Sequence, residues 1–501
     1  MINVSFTVVV TFLCMTLCQP ALAESSTVTP GPWGVNVQTL YHAPALKKLG
    51  TQWVRLSIRW DQVERAGSGR YDWADTDKAL NYYLDNGFHV LGALVMEKSN
   101  PVYAATRDTD AISSAVARWM GAVAQRYKGK GIVWEIGNEP ETFPMGNTWN
   151  HPNIYAAMAR MAAAAIKQAD PAAKVAALSM AWMDRDFASG ALRAGLLAQG
   201  NIDYLSFHGY HRRTIEPESG LAEDIGWLRS QAALAAGSGK PVPEIIDSEC
   251  GYSIVPFEAP KSKDAWRVSV YTEEAQAAYL ARHFIEEIYL GVPISIWYKD
   301  MRGENQFSLY YSDDSDPKGL RPMGRVYQSL AEALPDNPAA LKNNRFTVSV
   351  KPNAATNPAA TTVQALHVRS FVREDKSSGQ TSLIIAAWNA VEAFEGKILA
   401  SRTFNGSQVF EAWRDIKASD PVSVPSRISI EGLTAQGIQS TRVTRFQRGS
   451  AVQQSAQPEA AKGSNSVSLD LPLTPTPTIV TITLSGGPAP PTHVRVSPEN
   501  Q

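Results

Sequence analysis

The sequence predicts a (β/α)8 barrel followed by a C-terminal antiparallel β-sandwich. From about residue 30 to 335, eight short apolar runs alternate with helical stretches, as in a parallel sheet with crossover helices. After Pro335 the helical periods end, and β-rich runs broken by Gly, Ser, Asn and Pro follow. The chain has 501 residues, of which 44% are hydrophobic, so it can bury a barrel core and a smaller module. This composition excludes wholesale disorder.

The candidate barrel strands are apolar runs of strand length. They are Gly34–Gln38, Trp53–Ile58, His89–Val95, Ile132–Ile136, Lys174–Ser179, Ile202–Phe207, Glu244–Ser248 and Ile294–Trp297. A doubly wound open sheet is the alternative, and it favours a Gly-rich phosphate turn after the first strand. The stretch Gly34-Val35-Asn36-Val37 is not such a turn.

Helix patterns fill the gaps between these runs. The clearest are Ala111–Tyr127, Ile154–Gln168, Thr272–Leu290 and Gly324–Leu334. The second of them is rich in Ala and Met, which are strong helix formers, and Asp170-Pro171 ends it because proline cannot continue a helix. We therefore assign residues 24–340 to the barrel.

Residues 345–485 are predicted to form the β-sandwich. Its candidate strands are Val363–Phe371, Ser382–Trp388, Thr441–Gln447, Val467–Leu471 and Thr478–Leu484. Segment 449–465, with its Gln, Ser, Ala and Gly, is predicted to be an exposed loop. The Pro-rich segment 486–501 is predicted to be a disordered tail.

The N-terminal segment 1–23 is predicted to be a secretory signal peptide. The stretch from Val4 to Leu17 carries no charge and is short for a membrane span, and Ala21-Leu22-Ala23 has the form of a cleavage site. The segment before Val4 departs from the usual pattern because it contains no Lys or Arg. We expect a secreted or periplasmic protein with no stable membrane insertion, in which Cys250 is the one thiol left after cleavage.

The charge balance argues against a nucleic-acid partner. Lys and Arg number 47 against 48 Asp and Glu, which gives a formal net charge of −1, and no basic run stands out. Phosphate binding needs a basic excess or a basic patch.

Two predicted strands deliver a carboxylate to the same rim of the barrel. The fourth strand is followed by Asn138-Glu139-Pro140, and the seventh leads into Ser248-Glu249. Functional side chains of such barrels lie at the C-terminal ends of the strands. Glycoside hydrolysis requires two carboxyl groups, one to protonate the departing oxygen and one to attack the anomeric carbon or to activate water.

This pairing resembles the retaining glycoside hydrolases of clan A, and the resemblance extends over residues 33–335. It includes Val54-Arg55-Leu56 with Trp60-Asp61-Gln62-Val63-Glu64 at the second strand, Asp203 to Tyr210 at the sixth, and Ile296-Trp297-Tyr298-Lys299-Asp300 at the eighth. With its barrel followed by a β-sandwich and its stretch from Asp203 to Tyr210, the sequence is most similar to glycoside hydrolase family 39. That family includes β-xylosidases, α-iduronidase-like enzymes and exopolysaccharide endoglycosidases.

The resemblance implies a role for each matching residue. Glu139 is expected to be the general acid/base and Glu249 the nucleophile, with Asn138 on the sugar 2-hydroxyl and Tyr210 on Glu249. Arg55 is expected to contact Glu249 as well, with a buried structural ion pair as the alternative.

Further binding residues are expected from the sixth and eighth strands and from aromatic rings near strand ends. His208 is expected to donate a hydrogen bond to substrate and Trp297 to stack on a sugar face. Trp60, Trp182, Tyr210 and Tyr298 are further candidate platforms, which favours a long cleft and internal cleavage of a polysaccharide.

Other polar residues near the pair have plainer interpretations. Strand alternation predicts that Glu135 and Asp247 lie on the same face as Glu139 and Glu249, one layer deeper. Glu141 is expected in a loop, and Cys250 is assigned to packing. His208 and His211 do not form a zinc motif, so we expect no metal and no organic cofactor.

Alternatives to an endo-acting enzyme remain open. They are an exo-acting, β-xylosidase-like glycosidase on oligosaccharides and a non-catalytic carbohydrate-binding or biofilm matrix protein on the same barrel. The sugar, the linkage and the oligomeric state are open too. Loops Thr142–Asn150 and Tyr252–Val270 are expected to carry specificity.

Overall fold

The computed structural model describes most of the chain. The described residues are 30–37, 42–66, 69–96, 100–101, 105, 108–142, 150–210, 217–254, 269–270, 272–300, 307–311, 319–353, 366–390, 395–404, 407–417, 423–447, 450–460 and 463–485. The predicted signal peptide, the predicted tail and most of the two predicted specificity loops lie outside these ranges. Within them, no helix is both long and apolar enough to cross a membrane.

Eight parallel strands close into a barrel. The strands of this part of the chain are β1 (Trp33–Asn36), β2 (Trp53–Arg59), β3 (His89–Val95), β4 (Val133–Ile136), β5 (Lys174–Met180), β6 (Tyr204–His208), β7 (Glu244–Cys250), the short pair β8 (Ser253–Ile254) and β9 (Ser269–Val270), and β10 (Ser295–Trp297). The closed order is β1-β10-β7-β6-β5-β4-β3-β2. This confirms the predicted barrel and excludes the open doubly wound sheet, because β1 pairs with both β2 and β10.

Alternation along the strands fills the lower part of the barrel with apolar side chains. One buried layer holds Trp53, Leu91, Val133, Ala176, Ile246, Ile294 and Ile296. Because side chains two residues apart share a face, Arg55 and Glu135 follow Trp53 and Val133 as the next layer towards the C-terminal rim. The site is therefore built directly on a packed apolar floor.

Helices surround the barrel. They are α1 (Ala43–Lys48), α2 (Trp60–Val63), α3 (Ala74–Asp85), α4 (Thr109–Arg126), α5 (Pro152–Ala169), α6 (Arg185–Arg193), α7 (Pro217–Ala236), α8 (Glu273–Leu290) and α9 (Pro322–Ala333). In α8, the Thr272 hydroxyl accepts the N–H of Ala275 at 3.0 Å, and Gly291 ends the helix with φ +76°. Its residues from Ala275 to Ile288 are all buried.

The C-terminal part forms the predicted β-sandwich. Its strands are β11 (Thr347–Pro352), β12 (Leu366–Asp375), β13 (Gln380–Asn389), β14 (Glu395–Phe404), β15 (Ser407–Lys417), β16 (Val424–Glu431), β17 (Ile438–Gln447), β18 (Ser450–Ser455), β19 (Ser466–Leu473) and β20 (Thr478–Leu484). Sheets β11-β16-β19 and β12-β13-β20-β17-β18 face each other, and β14-β15 is a separate hairpin. Ile428 and Ile430 pack with Leu383 and Ile385 in the core between the two sheets.

The prediction that segment 449–465 is a loop is wrong in its first part. Strand β18 covers Ser450–Ser455 and pairs antiparallel with β17 at the edge of the larger sheet. All six of its side chains are exposed. This edge strand consists of Ser, Ala, Val and Gln and is held by backbone hydrogen bonds. Its sequence does not alternate between apolar and polar residues, so the hydrophobic periodicity of the sequence did not reveal it.

The sandwich packs against the barrel through a buried polar contact inside an apolar surface. The Trp388 indole N–H donates to Glu218 Oε1 at 2.6 Å, and Arg282 Nε donates to the same carboxylate at 2.5 Å. Phe371, Ile384, Ala386 and Ile479 join the barrel's own apolar cluster. Helix α8 is thus buried because the barrel covers one side of it and the sandwich the other.

Candidate active site

Glu139 and Glu249 lie on the same rim of the barrel and line one cavity of about 610 Å³. A carboxylate oxygen of Glu139 lies within 4.8 Å of one of Glu249. The side chains are 31% and 13% exposed, so both reach the cavity while most of each is enclosed. The two residues chosen from the strand ends are therefore brought together.

Arg55 connects three polar groups at the base of this cavity. Its Nε donates to Glu135 at 2.8 Å, Nη1 to Glu249 Oε2 at 2.8 Å and Nη2 to Asn138 Oδ1 at 2.7 Å. Arg55 therefore does what both interpretations expected, because it forms a buried ion pair with Glu135 and also contacts Glu249. Because Asn138 accepts from Arg55 with its oxygen, the amide N–H₂ of Asn138 is the group that remains for a substrate oxygen.

The charge of Glu135 is stabilised by its surroundings. Burial alone raises the pKa of this carboxyl, but the Arg55 guanidinium and His208 lower it below its usual value. The Arg55 pKa is raised, because Glu135 and Glu249 outweigh the cost of burying the cation. Glu135 lies one layer below the catalytic pair, as alternation predicts.

Glu249 accepts hydrogen bonds on both of its carboxylate oxygens. Oε1 accepts the Tyr210 hydroxyl at 2.8 Å, and Oε2 accepts Asn36 Nδ2 at 3.4 Å in addition to Arg55. Burial and the neighbouring Glu249 raise the Tyr210 pKa well above its usual value, so the hydroxyl keeps its proton and donates. Asn36 was missed in the sequence, although it lies at the C-terminal end of the first strand, where the strand-end rule applies.

His208 differs from its expected role. Its ring is fully buried, and Nδ1 lies 3.1 Å from Glu139 Oε1 and 4.0 Å from Glu249 Oε1. We correct the expected contact with substrate to a contact with the Glu139 carboxyl. The hydrogen bond between the buried ring and Glu139 holds that carboxyl beside Glu249.

The predicted aromatic platforms divide into three groups. Trp297 is fully buried and donates to the Phe307 carbonyl at 3.1 Å, and Trp60 is fully buried with its N–H on Glu64. Neither offers a face to a sugar, so both predictions are wrong. Tyr298 is half-buried and lines the cavity. Trp182 is half-buried beyond the end of β5 and is not among the lining residues.

A bulge in β5 holds the backbone of Glu139. Between Ala177 and Met180, β5 has one residue more than the segment of β6 that it pairs with. Leu178 and Ser179, which lie in this bulge, have positive φ values of +83° and +48°. The Ser179 carbonyl accepts the Glu139 N–H at 2.8 Å. Glu139 itself has φ +50°. Ser179 and Glu139 thus both have an unfavourable positive φ, and the hydrogen bond between them sets the direction of the Glu139 side chain.

Glu141 is buried rather than part of an exposed loop. The 3₁₀ turn Pro140–Thr142 brings its Oε1 to 2.5 Å from the Ala181 N–H. Burial, and next the charge of Glu139, raise the Glu141 pKa well above its usual value. The residue therefore joins the turn after Glu139 to the end of β5.

A second bulge lies in β7, and it reverses one prediction. Phe207 pairs with Asp247 and His208 with Glu249, so β7 has one extra residue at this point. Alternation from Ile246 in the barrel interior turns Asp247 outward, and the extra residue then turns Glu249 inward. Asp247 therefore faces α8, and the prediction that it shares a face with Glu249 is wrong.

Cys250 also lies on the outer side of β7. It is fully buried, and burial raises the pKa of its thiol. Among the described side chains, two groups bring possible metal-ligand atoms within 4.8 Å: Glu139 with His208 and Glu249, and Asp247 with Cys250 and His283. In each group the histidine forms a hydrogen bond with a carboxyl group, at 3.1 Å between His208 and Glu139 and at 3.0 Å between His283 and Asp247.

The cavity extends from the catalytic pair past the end of β2 to α2 and α3. Its wall there includes Arg59, Gln62, Arg65, Asp72 and Asp75. The wall is therefore polar and of mixed charge. These side chains come from the end of β2, from α2, from the segment that follows α2 and from the start of α3.

Comparison with known proteins agrees with this fold. Residues 16–220 match the sequence model of the cellulase family, glycosyl hydrolase family 5. A family 39 glycoside hydrolase from the gut symbiont Bacteroides cellulosilyticus WH2 has a similar structure, with a TM-score of 0.59 at 15% identity over 90% of this chain and 81% of that one.

Two further solved structures are similar. A glucosidase from Croceicoccus marinus gives a TM-score of 0.57 at 16% identity over 92% of this chain and 96% of its own. A family 39 enzyme from Xanthomonas axonopodis pv. citri gives 0.53 at 14% over 91% and 95%. At such identities the likeness establishes the fold. Together with the family match it confirms the predicted resemblance to the clan A glycoside hydrolases.

Proposed function

We propose that this chain, an O-glycosyl hydrolase of the clan A type, cleaves glycosidic bonds with retention of anomeric configuration. The observation that carries the proposal is the approach of Glu139 and Glu249 in one cavity, with carboxylate oxygens within 4.8 Å. Retaining enzymes hold their two carboxyl groups about 5–5.5 Å apart, whereas inverting enzymes leave about 6.5–9.5 Å for a water molecule.

The surroundings of the two carboxyl groups support different roles. Glu249 accepts from Arg55, Tyr210 and Asn36, and these donors hold its carboxylate oxygens in the orientation that a nucleophile needs. Two carboxylates this close are not both ionised without cost, so a proton is best held on the group that lacks the guanidinium. That group is Glu139, which has the larger exposed fraction and lines the cavity.

The proposed reaction proceeds in two displacements. Glu249 attacks the anomeric carbon while Glu139 protonates the departing glycosidic oxygen, which gives a glycosyl-enzyme ester and a free alcohol. Glu139, now ionised, then takes a proton from water, and the resulting hydroxide displaces Glu249 from the anomeric carbon. The Asn138 amide N–H₂ donates to the sugar 2-hydroxyl, where contacts strengthen in the transition state.

Azide separates the two roles in one experiment. The E139A variant, given an aryl glycoside with a good leaving group, should form the ester and then be rescued by azide to give a glycosyl azide of retained configuration. The E249A variant should give the inverted azide by a single displacement. NMR of the product reads the configuration. Inverted sugar as the first product of the wild-type enzyme contradicts the proposal.

We further propose an extracellular polysaccharide as substrate, with cleavage at internal bonds. The predicted signal peptide supports export, and the cavity that continues from Glu139 and Glu249 to α3 supports a cleft for several sugar units. Early products from a panel of polysaccharides test this. A ladder of oligosaccharides supports internal cleavage, whereas monosaccharide alone from the first time point favours the exo-acting alternative.

Export is tested separately from catalysis. Expression of the full chain in a bacterial host, followed by N-terminal sequencing of the exported protein, should place the new terminus after Ala23. If the uncut chain stays in the cytoplasm, the signal peptide is contradicted, while the result on anomeric configuration is unaffected.

Binding of polysaccharide without hydrolysis by the wild-type protein would support a non-catalytic role.

A further inference from the structure

Asp247 forms a buried polar cluster on the outer side of β7. The cluster consists of Asp247, His283 and Glu287 of α8, and Ser295 of β10, all fully buried. Asp247 Oδ2 lies 3.0 Å from His283 Nε2, which is 3.3 Å from Glu287 Oε1. The Ser295 hydroxyl donates to the other oxygen of Glu287. The catalytic steps above use none of these side chains.

The second oxygen of Asp247 faces the rim. Oδ1 accepts the backbone N–H of Gly209 at 2.9 Å and that of Glu249 at 3.2 Å. The Gly209 N–H also lies 2.8 Å from the Glu249 carbonyl. One carboxylate therefore joins the backbone of the nucleophile to the segment that follows β6.

That segment carries the hydroxyl that contacts the nucleophile. Tyr210 follows Gly209 directly and donates to Glu249 Oε1 at 2.8 Å. A Cβ on Gly209 would lie 2.0 Å from Asp247 Oδ2 and 2.9 Å from His283 Cε1. Glycine is thus required for the close approach of this backbone to the Asp247–His283 pair.

The charge of His283 suits this arrangement. Burial lowers its pKa, but Cys250, Glu287 and Asp247 around it raise the pKa well above the usual value. The ring lies between Asp247 of β7 and Glu287 of α8, and its 3.0 Å contact holds Asp247 in one orientation.

We propose that Asp247, held by His283 and Glu287, is a positioning residue that sets Glu249 and Tyr210 relative to each other. It acts through two backbone N–H groups and does not touch substrate. The proposal rests on the proposed function for its kinetic consequence, while its structural consequence is independent of any activity.

Two variants grade the effect. D247A removes the oxygen that accepts both N–H groups and leaves the Gly209 N–H with the Glu249 carbonyl alone. A displacement of about 1 Å at the reacting groups should then lower kcat about 100-fold. D247N keeps an oxygen for the N–H groups but places an amide N–H₂ where Oδ2 contacts His283, so it should lose less. KM should change little in both, because Arg55 and Asn138 remain in place.

A double-mutant cycle with Y210F distinguishes positioning from general destabilisation. If Asp247 acts partly through Tyr210, the loss of kcat in D247A/Y210F is smaller than the product of the single losses. The control is D203A, which removes a carboxylate that accepts the Val175 N–H at 2.9 Å and pairs with Lys167 and Lys174 near the start of β5. D203A should lower stability and leave kcat unchanged.

A crystal structure of D247A, or of D247N if D247A does not fold, gives the readout without activity. The inference expects the 2.8 Å contact between Tyr210 and Glu249 to be broken or lengthened. An intact contact together with unchanged kcat overturns it, as do losses that multiply in the cycle. A broken contact in a protein whose wild type hydrolyses no glycoside supports the positioning role and contradicts the proposed function instead.

Discussion

At the scale of single residues, the site depends on one buried cation with several anionic or polar partners. Arg55 makes hydrogen bonds with Glu135, Glu249 and Asn138, which belong to β4, β7 and the segment after β4. A guanidinium has five N–H donors in a rigid plane, so it can serve all three partners at once. An ammonium group has three N–H donors, but all of them belong to one nitrogen, which cannot occupy the positions of Nε, Nη1 and Nη2 together.

We therefore predict that R55K damages both stability and catalysis. Lysine keeps the charge but cannot make all three hydrogen bonds of Arg55, and each lost charged hydrogen bond in a buried setting costs about 1.5–3 kcal/mol. We expect the free energy of unfolding to fall by about 3 kcal/mol, as measured by chemical denaturation, and kcat to fall about 100-fold.

The control for this prediction is R59K on the same strand. Arg59 pairs with Asp61 at 3.0 Å near the surface, where such pairs contribute less than about 1 kcal/mol. Equal losses of stability in R55K and R59K would show that the three buried partners of Arg55 do not matter.

At the scale of elements, two bulges decide how the strand ends deliver the carboxylates. The bulge in β5 supplies the carbonyl that accepts the Glu139 N–H, and the bulge in β7 turns Glu249 into the barrel. Bulges are common beside active sites because one extra residue redirects a side chain without moving the sheet. Both bulges here occur where the strands reach the rim.

We predict that S179G stabilises the protein. Ser179 has φ +48°, which costs about 1–2 kcal/mol for a residue with a Cβ. Its hydroxyl is also buried without a hydrogen-bond partner. Glycine removes both costs and keeps the carbonyl that contacts Glu139, so unfolding should require about 1 kcal/mol more with kcat nearly unchanged.

The matched control is A177G, two residues earlier in the regular part of β5. Glycine there should destabilise by about 0.5–1 kcal/mol, because the strand backbone needs no positive φ. If S179G destabilises as much as A177G does, the strain at Ser179 does not limit stability.

At the scale of the whole molecule, an ion pair joins the two domains. Arg369 of β12 contacts Glu286 of α8 with its Nε at 3.0 Å from Oε1, and the Glu286 side chain is 1% exposed. Burial raises the Glu286 pKa to about 7, even though Arg369 opposes the shift. The unfolded chain leaves this carboxyl in water, near the ordinary value of 4.5.

This difference predicts a pH dependence of stability. Between about pH 4.5 and 7 the folded protein holds the Glu286 proton and the unfolded chain does not, so the contribution of Glu286 to stability falls as pH rises and levels off above 7. E286Q cannot titrate. The difference in free energy of unfolding between E286Q and wild type should therefore change by about 2 kcal/mol in favour of E286Q as the pH is raised from 5 to 8.

The control is E374Q on β12. Glu374 is largely exposed and pairs with Arg345 at 2.6 Å, so its removal should cost less than about 1 kcal/mol at either pH. A stability difference between E286Q and wild type that stays constant from pH 5 to pH 8 contradicts the prediction.

The sequence by itself determined the barrel, the sandwich and the two carboxylates. Strand-length apolar runs and the helices between them are local patterns. Eight such runs, alternating with helices, specify the order of a closed parallel barrel. The rule that strand ends meet at one rim then brings Glu139 and Glu249 together. Trp53 and Arg55 follow the same alternation into the barrel interior.

Only the tertiary structure decided what surrounds those carboxylates. Asp247 faces α8 because of one extra residue in β7, and a local pattern does not show where alternation is interrupted. His208 and Trp297 are buried by neighbours distant in sequence, so residue type and position at a strand end did not reveal their contacts. Side-chain direction depends on the pairing of strands, and burial depends on what packs from outside, and both are properties of the folded chain.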